Sequence, residues 1–168
     1  AMTFLQWDQL VMMPAKGNDS RAKAIAELAS MRHEMLTGSE VGELIEMADY
    51  QAADELEKRS VLEMSRTYQQ ASCLPASLVK AQSYAGSKCE HGWRSQRQEN
   101  DWHGFLANFE EVVKLAREEA QLRQAADKER FATPYDALLD LYCTGDSSEF
   151  ISEVFTGLKR ELPELMQQ

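Results

Sequence analysis

Residues 101–120 read Asp-Trp-His-Gly-Phe-Leu-Ala-Asn-Phe-Glu-Glu-Val-Val-Lys-Leu-Ala-Arg-Glu-Glu-Ala, and this stretch decides the fold class. Trp102, Phe105, Leu106, Phe109, Val112, Val113, Ala116 and Ala120 recur at three- and four-residue steps, the period of a helix with one apolar stripe. Glu110, Glu111, Lys114, Arg117 and Glu118 take the opposite face. Asp101, just ahead of the stripe, can accept from the free amides of a first turn. A stripe this long predicts packing against other helices.

The flanking sequence repeats the pattern in both directions. Pro75 suits the first turn of a helix, where a missing amide hydrogen costs nothing, and Leu78, Gln82, Ala85, Cys89 and Trp93 follow it towards Arg97. Ala85, Gly86 and Gly92 are small enough to predict close approach of another backbone. Further upstream, Asn18 and Asp19 can cap a helix carrying Ala22, Ile25, Leu28, Ala29, Met35 and Leu36, with Gly38 as its end. Ser39 starts a short helix with Val41, Leu44, Ile45 and Ala48, and a more polar helix over 53–72 is expected to bury Leu56 and either Leu62 or Met64, with Tyr68. At the front of the chain Phe4, Leu5 and Met12 suggest a helix with no cap before it.

Downstream of the quoted stretch, residues 123–134 are the most polar connection and the expected loop. Thr133-Pro134 opens a helix holding Tyr135, Leu138, Leu139 and Tyr142, which Gly145 closes. Asp146, Ser147 and Ser148 supply the next cap, and Glu149 makes a possible capping box with Asp146. The last helix is expected to bury Ile151, Val154, Phe155, Leu158, Leu162 and Leu165, with Pro163 forcing a kink or marking its end. No stretch alternates like a strand. The reading is therefore all-α, a multi-helix, bundle-like region with no significant sheet, in one domain over 1–168.

Composition narrows the function classes. The 168 residues are 43% hydrophobic, enough for one packed core. A formal net charge of -10 repels a phosphate backbone and argues against nucleic acid as a partner. No apolar run is long enough to span a bilayer and no basic-then-apolar leader opens the chain, so a cytoplasmic location is expected. Cys73, Cys89 and Cys143 are widely spaced and read as buried or partly buried free thiols.

Catalytic constellations are scarce. Two zinc-binding histidines on one helix must sit four apart, and His33, His91 and His103 offer no such pair. His33-Glu34 begins like a His-Glu-x-x-His motif, but Thr37 stands where the second ligand belongs. The acidic pairs Glu110-Glu111 and Glu118-Glu119, like Glu40 and Glu43, fall on faces expected to be wet, where no environment separates their acidities. Ser72, Ser77 and Ser83 have no suitably spaced histidine, and no nucleophile elbow or phosphate-binding glycine loop occurs. The chain itself is expected to hold no catalytic residue, no metal ligand and no cofactor.

Four ordered stretches carry a resemblance. The first is Trp7-Asp8-Gln9-Leu10-Val11-Met12-Met13-Pro14; the second runs from Leu28 to Thr37 and continues with Val41-Gly42-Glu43-Leu44-Ile45. The third is Trp93, Arg97, Asn100, Asp101, Trp102 and Phe105; the fourth is Tyr135-Asp136-Ala137-Leu138-Leu139-Asp140 with Tyr142 and Gly145. Together they resemble the N-terminal part of the carboxypeptidase Taq family, zinc metallocarboxypeptidases of the thermostable carboxypeptidase 1 type. The family's His-Glu-x-x-His helix lies downstream of the part matched. The uncapped first helix and the last helix with Pro163 read as cuts through a longer architecture, or as a shortened reading frame.

The resemblance implies a parent that removes C-terminal amino acids from peptides with zinc, typically as a homodimer. It places Trp7, Asp8, Gln9, Met13 and Pro14 in helices that cover the substrate groove over the downstream catalytic domain. The residues alone suit better a lock between the first helix and its neighbours, since one acid with no base partner specifies no reaction. Trp93, Arg97, Asn100, Asp101 and Trp102 suggest a helix–helix corner, with the Arg97 guanidinium across the Trp93 indole or bridged to Asp101. The rival to a peptidase region is a stand-alone helical module that binds proteins or peptides without catalysis.

Overall fold

The computed structural model describes residues 2–166. Every regular element among them is helical: α1 (Met2–Val11), a 3-10 turn (Ala15–Gly17), α2 (Asn18–Leu36), α3 (Ser39–Gln51), α4 (Glu55–Ser72), α5 (Ala76–Glu99), α6 (Trp102–Ala126), α7 (Pro134–Leu139) and α8 (Ser148–Met166). The all-α expectation is met. The chain divides into two compact units, Ala1–Glu119 and Ala120–Gln168.

The first unit is organised on α2 and α5. Ala22, Ile25, Ala26, Ala29 and His33 form the buried stripe of α2, and Leu78, Ala85 and Cys89 that of α5. Mostly small side chains on both stripes let the two axes come close, the condition for tight ridge-and-groove packing. Polar contacts fix the register along the seam. Lys80 pairs with Glu27, and the Tyr84 hydroxyl donates to Asp19 Oδ1 at 2.8 Å. Gln82 Nε2 donates to Glu119 Oε2 at 2.6 Å, tying α5 to α6.

Several element ends differ from expectation. Asn18 does not cap α2; Gly17 holds that position, and Asn18 is buried inside the first turn as a hydrogen-bond acceptor. Gly38 does not end α2 in a left-handed turn. Thr37 closes the helix through His33 O, and Gly38, extended, precedes α3. Pro75 sits one residue ahead of α5 rather than within its first turn.

On α4 the buried apolar residue is Val61, whereas Leu56, Leu62 and Met64 are exposed. Its start is fixed by a capping box that sequence reading missed, with Glu57 N on Asp54 Oδ1 at 2.8 Å and the Glu57 carboxylate reaching back to Asp54 N. Close packing occurs at Gly42 of α3, where an added Cβ would lie 2.9 Å from Tyr68 Oη. At Gly86, where small-residue packing was expected, nothing approaches.

The second unit is built on a loop held by two buried carboxylates. Thr133 and Asp136 form a capping box at the start of α7. Asp136 accepts from Thr133 Oγ1 and from Ser148 N, each at 2.7 Å; Asp140 accepts from Arg130 Nη2 at 2.6 Å and Gly145 N at 3.1 Å. Gly145 adopts φ 88°, a left-handed conformation that suits glycine. α7 stops at Leu139, so Tyr142 lies in the following turn, exposed. Ser147, not Asp146, accepts from the first turn of α8 through Phe150 N at 3.1 Å.

α8 keeps the predicted apolar period but not the predicted burial. Val154, Phe155, Leu158, Leu162 and Leu165 are exposed, and none of its described residues is buried. Pro163 falls in its last turn.

Candidate functional site

The residues singled out from sequence fall into two clusters in the first unit. In the first, the N-terminal signature makes three tethers. Asp8 forms an ion pair with Arg21 Nη2 of α2 at 2.5 Å. Gln9 Nε2 donates to Asn18 Oδ1 of α2 at 3.4 Å and to Ser87 Oγ of α5. The Asp8 carbonyl also accepts from Met12 N and Met13 N at 2.9 and 2.8 Å, closing the end of α1.

Met13 lies against Gly17, where an added Cβ would stand 3.1 Å from its Cγ, and Pro14, extended, leads into the 3-10 turn. Trp7 is 53% exposed. The chemical consequence is plain: a carboxylate held by a guanidinium and an amide spent on two oxygens position a helix and offer no base or nucleophile. Sequence reading missed Arg21, Asn18 and Ser87 as the partners, since nothing local links them to residues 8 and 9.

The second cluster is the corner between α5 and α6. Asn100 takes the left-handed conformation, φ 56°, and its amide bonds to Gln96 O to end α5. Asp101 caps α6 through Gly104 N on Oδ1 at 2.9 Å. Trp93, Gln96, Arg97, Asn100, Asp101, Trp102 and Phe105 line a cleft there of about 150 Å³. The expected stacking of Arg97 on Trp93 and the alternative bridge to Asp101 are both absent among the described residues, whereas Arg130 does lie over the Phe131 ring. Trp102 packs instead on Phe105, ring centres 5.7 Å apart.

The histidines were tested against a metal centre. His33 is buried, and its Nε2 bonds to Leu74 O at 2.8 Å, tying α2 to the turn before α5. That places it in an interface rather than on a helix surface. Among the described residues no three His, Cys, Asp or Glu side chains come together as a metal-binding group. The described residues do not fit a zinc centre.

Local surroundings shift the acidity of Asp136 and Cys89, among others. Hydrogen bonds from Ser148 and then Thr133 hold the Asp136 carboxyl down at about 2. Burial pushes the Cys89 thiol up, away from the reactive thiolate. Cys143 is exposed, contrary to the expectation that all three thiols would be at least partly buried.

These helices, with a sequence signature used as a tether, form an all-α region whose class the comparison with known families supplies. Across residues 1–168 the chain matches the Carboxypeptidase Taq (M32) metallopeptidase family, and it belongs to that family. It is 32% identical over 170 residues to thermostable carboxypeptidase 1 of Thermus thermophilus, covering 96% of this chain and 33% of that protein. Thermostable carboxypeptidase 1 of Pyrococcus furiosus is 28% identical over 169 residues, with 100% and 33% covered.

A solved structure of Pyrococcus furiosus carboxypeptidase superposes with TM-score 0.75 at 28% identity, covering 99% of this chain and 33% of that one. A solved structure of BsuCP gives TM-score 0.83 at 23% identity, covering 95% and 31%, which supports the fold. The chain thus spans about a third of the length of the curated relatives it matches.

Proposed function

We propose that residues 1–168 act as one region, the N-terminal, groove-covering helices of a zinc-dependent metallocarboxypeptidase that removes C-terminal amino acids from peptides. On this reading the span has no catalytic group of its own. Zinc, the general base and the scissile-bond chemistry belong to a downstream catalytic domain, and the parent is a cytoplasmic homo-oligomer.

One observation carries the reading: the family match runs along the whole chain while covering a third of each relative; among the described residues no donors assemble a metal centre. The extensive exposed apolar surface, from Phe4 and Trp7 on α1 to Phe155 and Leu165 on α8, supports it, because such groups suit a region that packs on further protein. The internally satisfied α2–α5 seam favours the alternative, a stand-alone helical interaction module.

Sequencing the transcript beyond the codon for Gln168 separates the two. The peptidase reading expects an in-frame His-Glu-x-x-His segment. A stop codon directly after it, with no such segment, would leave the module.

A further inference from the structure

α8 presents a continuous apolar face from a fixed base. Ser147 Oγ accepts from Phe150 N at 3.1 Å, and the buried Asp136, which caps α7, accepts from Ser148 N at 2.7 Å. The start of the helix is therefore held on α7. Along its 19 residues, about 28 Å, Ile151, Val154, Phe155, Leu158, Leu162 and Leu165 share one face, and no charged residue interrupts them. Ile151 is half-buried, but the five that follow it are 43% to 64% exposed. α3 differs: its exposed Leu44, Met47 and Tyr50 are interleaved with Glu40, Glu43 and Glu46, which keep that face compatible with water.

An unbroken apolar stripe of this length marks a contact surface. The length of polypeptide outside the span says what supplies the contact. The chain matches its family over residues 1–168 yet covers only 33% of thermostable carboxypeptidase 1 of Thermus thermophilus, which leaves most of a protein of that length outside it. A segment of the same polypeptide reaches the stripe at a high effective concentration, whereas a second copy must be recruited from dilute solution. The absence of charge along the stripe calls for an apolar helix face as its occupant.

We propose that the α8 stripe seats an apolar helix from the downstream part of the same polypeptide, packed lengthwise on Val154, Phe155, Leu158, Leu162 and Leu165. Helices packed in this way lie about 8–10 Å apart, axis to axis, and bury the side chains between them. The proposal rests on the peptidase reading and names the surface through which this span holds the rest of the parent.

The test puts one thiol on the stripe, Leu158→Cys, with Cys143→Ser removing the exposed native thiol. It is made in the 168-residue chain and in the longest protein the gene encodes, and maleimide labelling of position 158 is followed by peptide mass analysis. Labelling near the free-thiol rate at every protein concentration is expected in the 168-residue chain, and labelling slower by about a hundredfold in the longer protein. Thr156→Cys, on the exposed polar face of the same helix, should label alike in both and so reports that α8 is folded and reachable. Equally fast labelling at position 158 in both proteins would overturn the proposal. So would labelling of the 168-residue chain that slows as its concentration rises, which would assign the face to a second copy. A gene that stops after Gln168 removes the peptidase reading and this proposal together, whereas fast labelling in a longer protein that carries a His-Glu-x-x-His segment removes the proposal alone.

Discussion

The side-chain amide of Gln9 donates to the hydroxyl of Ser87, 78 residues further along the chain. With the Asp8–Arg21 pair, this contact fastens α1 across both α2 and α5. The signature that stands out most in the sequence therefore acts as a tether, and its exposed neighbour Trp7 is carried on a fixed helix.

Loosening the tether should cost stability without unfolding the core. The Asp8–Arg21 pair is partly exposed, so solvent screens it, and Asp8→Asn should lower stability by about 0.5–1 kcal/mol. Gln9→Ala should cost about 1 kcal/mol. Urea melts check both, and hydrogen exchange should show faster exchange confined to α1.

Gly104→Ala should disturb the corner more than helix propensity suggests. Alanine favours a helix over glycine, yet its Cβ would meet Asp101 Oδ2 at 2.1 Å and expel the cap. The expected loss is about 1–2 kcal/mol, read by thermal melting. A stabilised variant would show that the cap is dispensable.

Asp136 should make the second unit acid-sensitive. Its folded pKa of about 2 lies below the unfolded value near 3.9. The carboxylate's contribution is therefore fully present above about pH 4 and is lost as pH falls through about 2. Asp136→Asn should remove about 1–2 kcal/mol at neutral pH and flatten the dependence between about pH 4 and pH 2. Unfolding titrations of both proteins at several pH values check this.

His33→Phe should destabilise the α2–α5 seam, because Leu74 O would lose its 2.8 Å partner while remaining buried. About 1–3 kcal/mol is expected, measured by chemical denaturation.

Helical period made much of the fold legible. Leu78, Ala85 and Cys89 were readable as one face because α5 meets a full partner, α2, within the chain. The same period misled on α8, where Val154, Phe155 and Leu158 form a stripe that nothing in their unit buries. Periodicity reports that a face is apolar, not what lies against it. On α4 several apolar positions competed, and Val61 rather than Leu56 turned inward, a choice set by tertiary packing.

Cap positions were the least legible feature. Asn18 has the right chemistry for a cap but serves Gln9 instead, while Asp54 and Glu57 form a full box that the polar run around them concealed. At the corner cleft, Trp93, Arg97, Asn100, Asp101 and Trp102 do come together, and the residue types were enough to predict the meeting. The sequence offered Asp101 both a cap on α6 and a bridge to Arg97, and of the two the structure shows the cap.

The central claim is that this span shapes a peptidase without performing its chemistry, and the most direct measurement loads the isolated 168-residue chain with zinc, dialyses it and assays it on a blocked dipeptide. The account predicts no retained stoichiometric zinc and no released C-terminal amino acid, because His33 is committed to Leu74 O and no three donors converge among the described residues. One tightly held zinc per chain with turnover would contradict it.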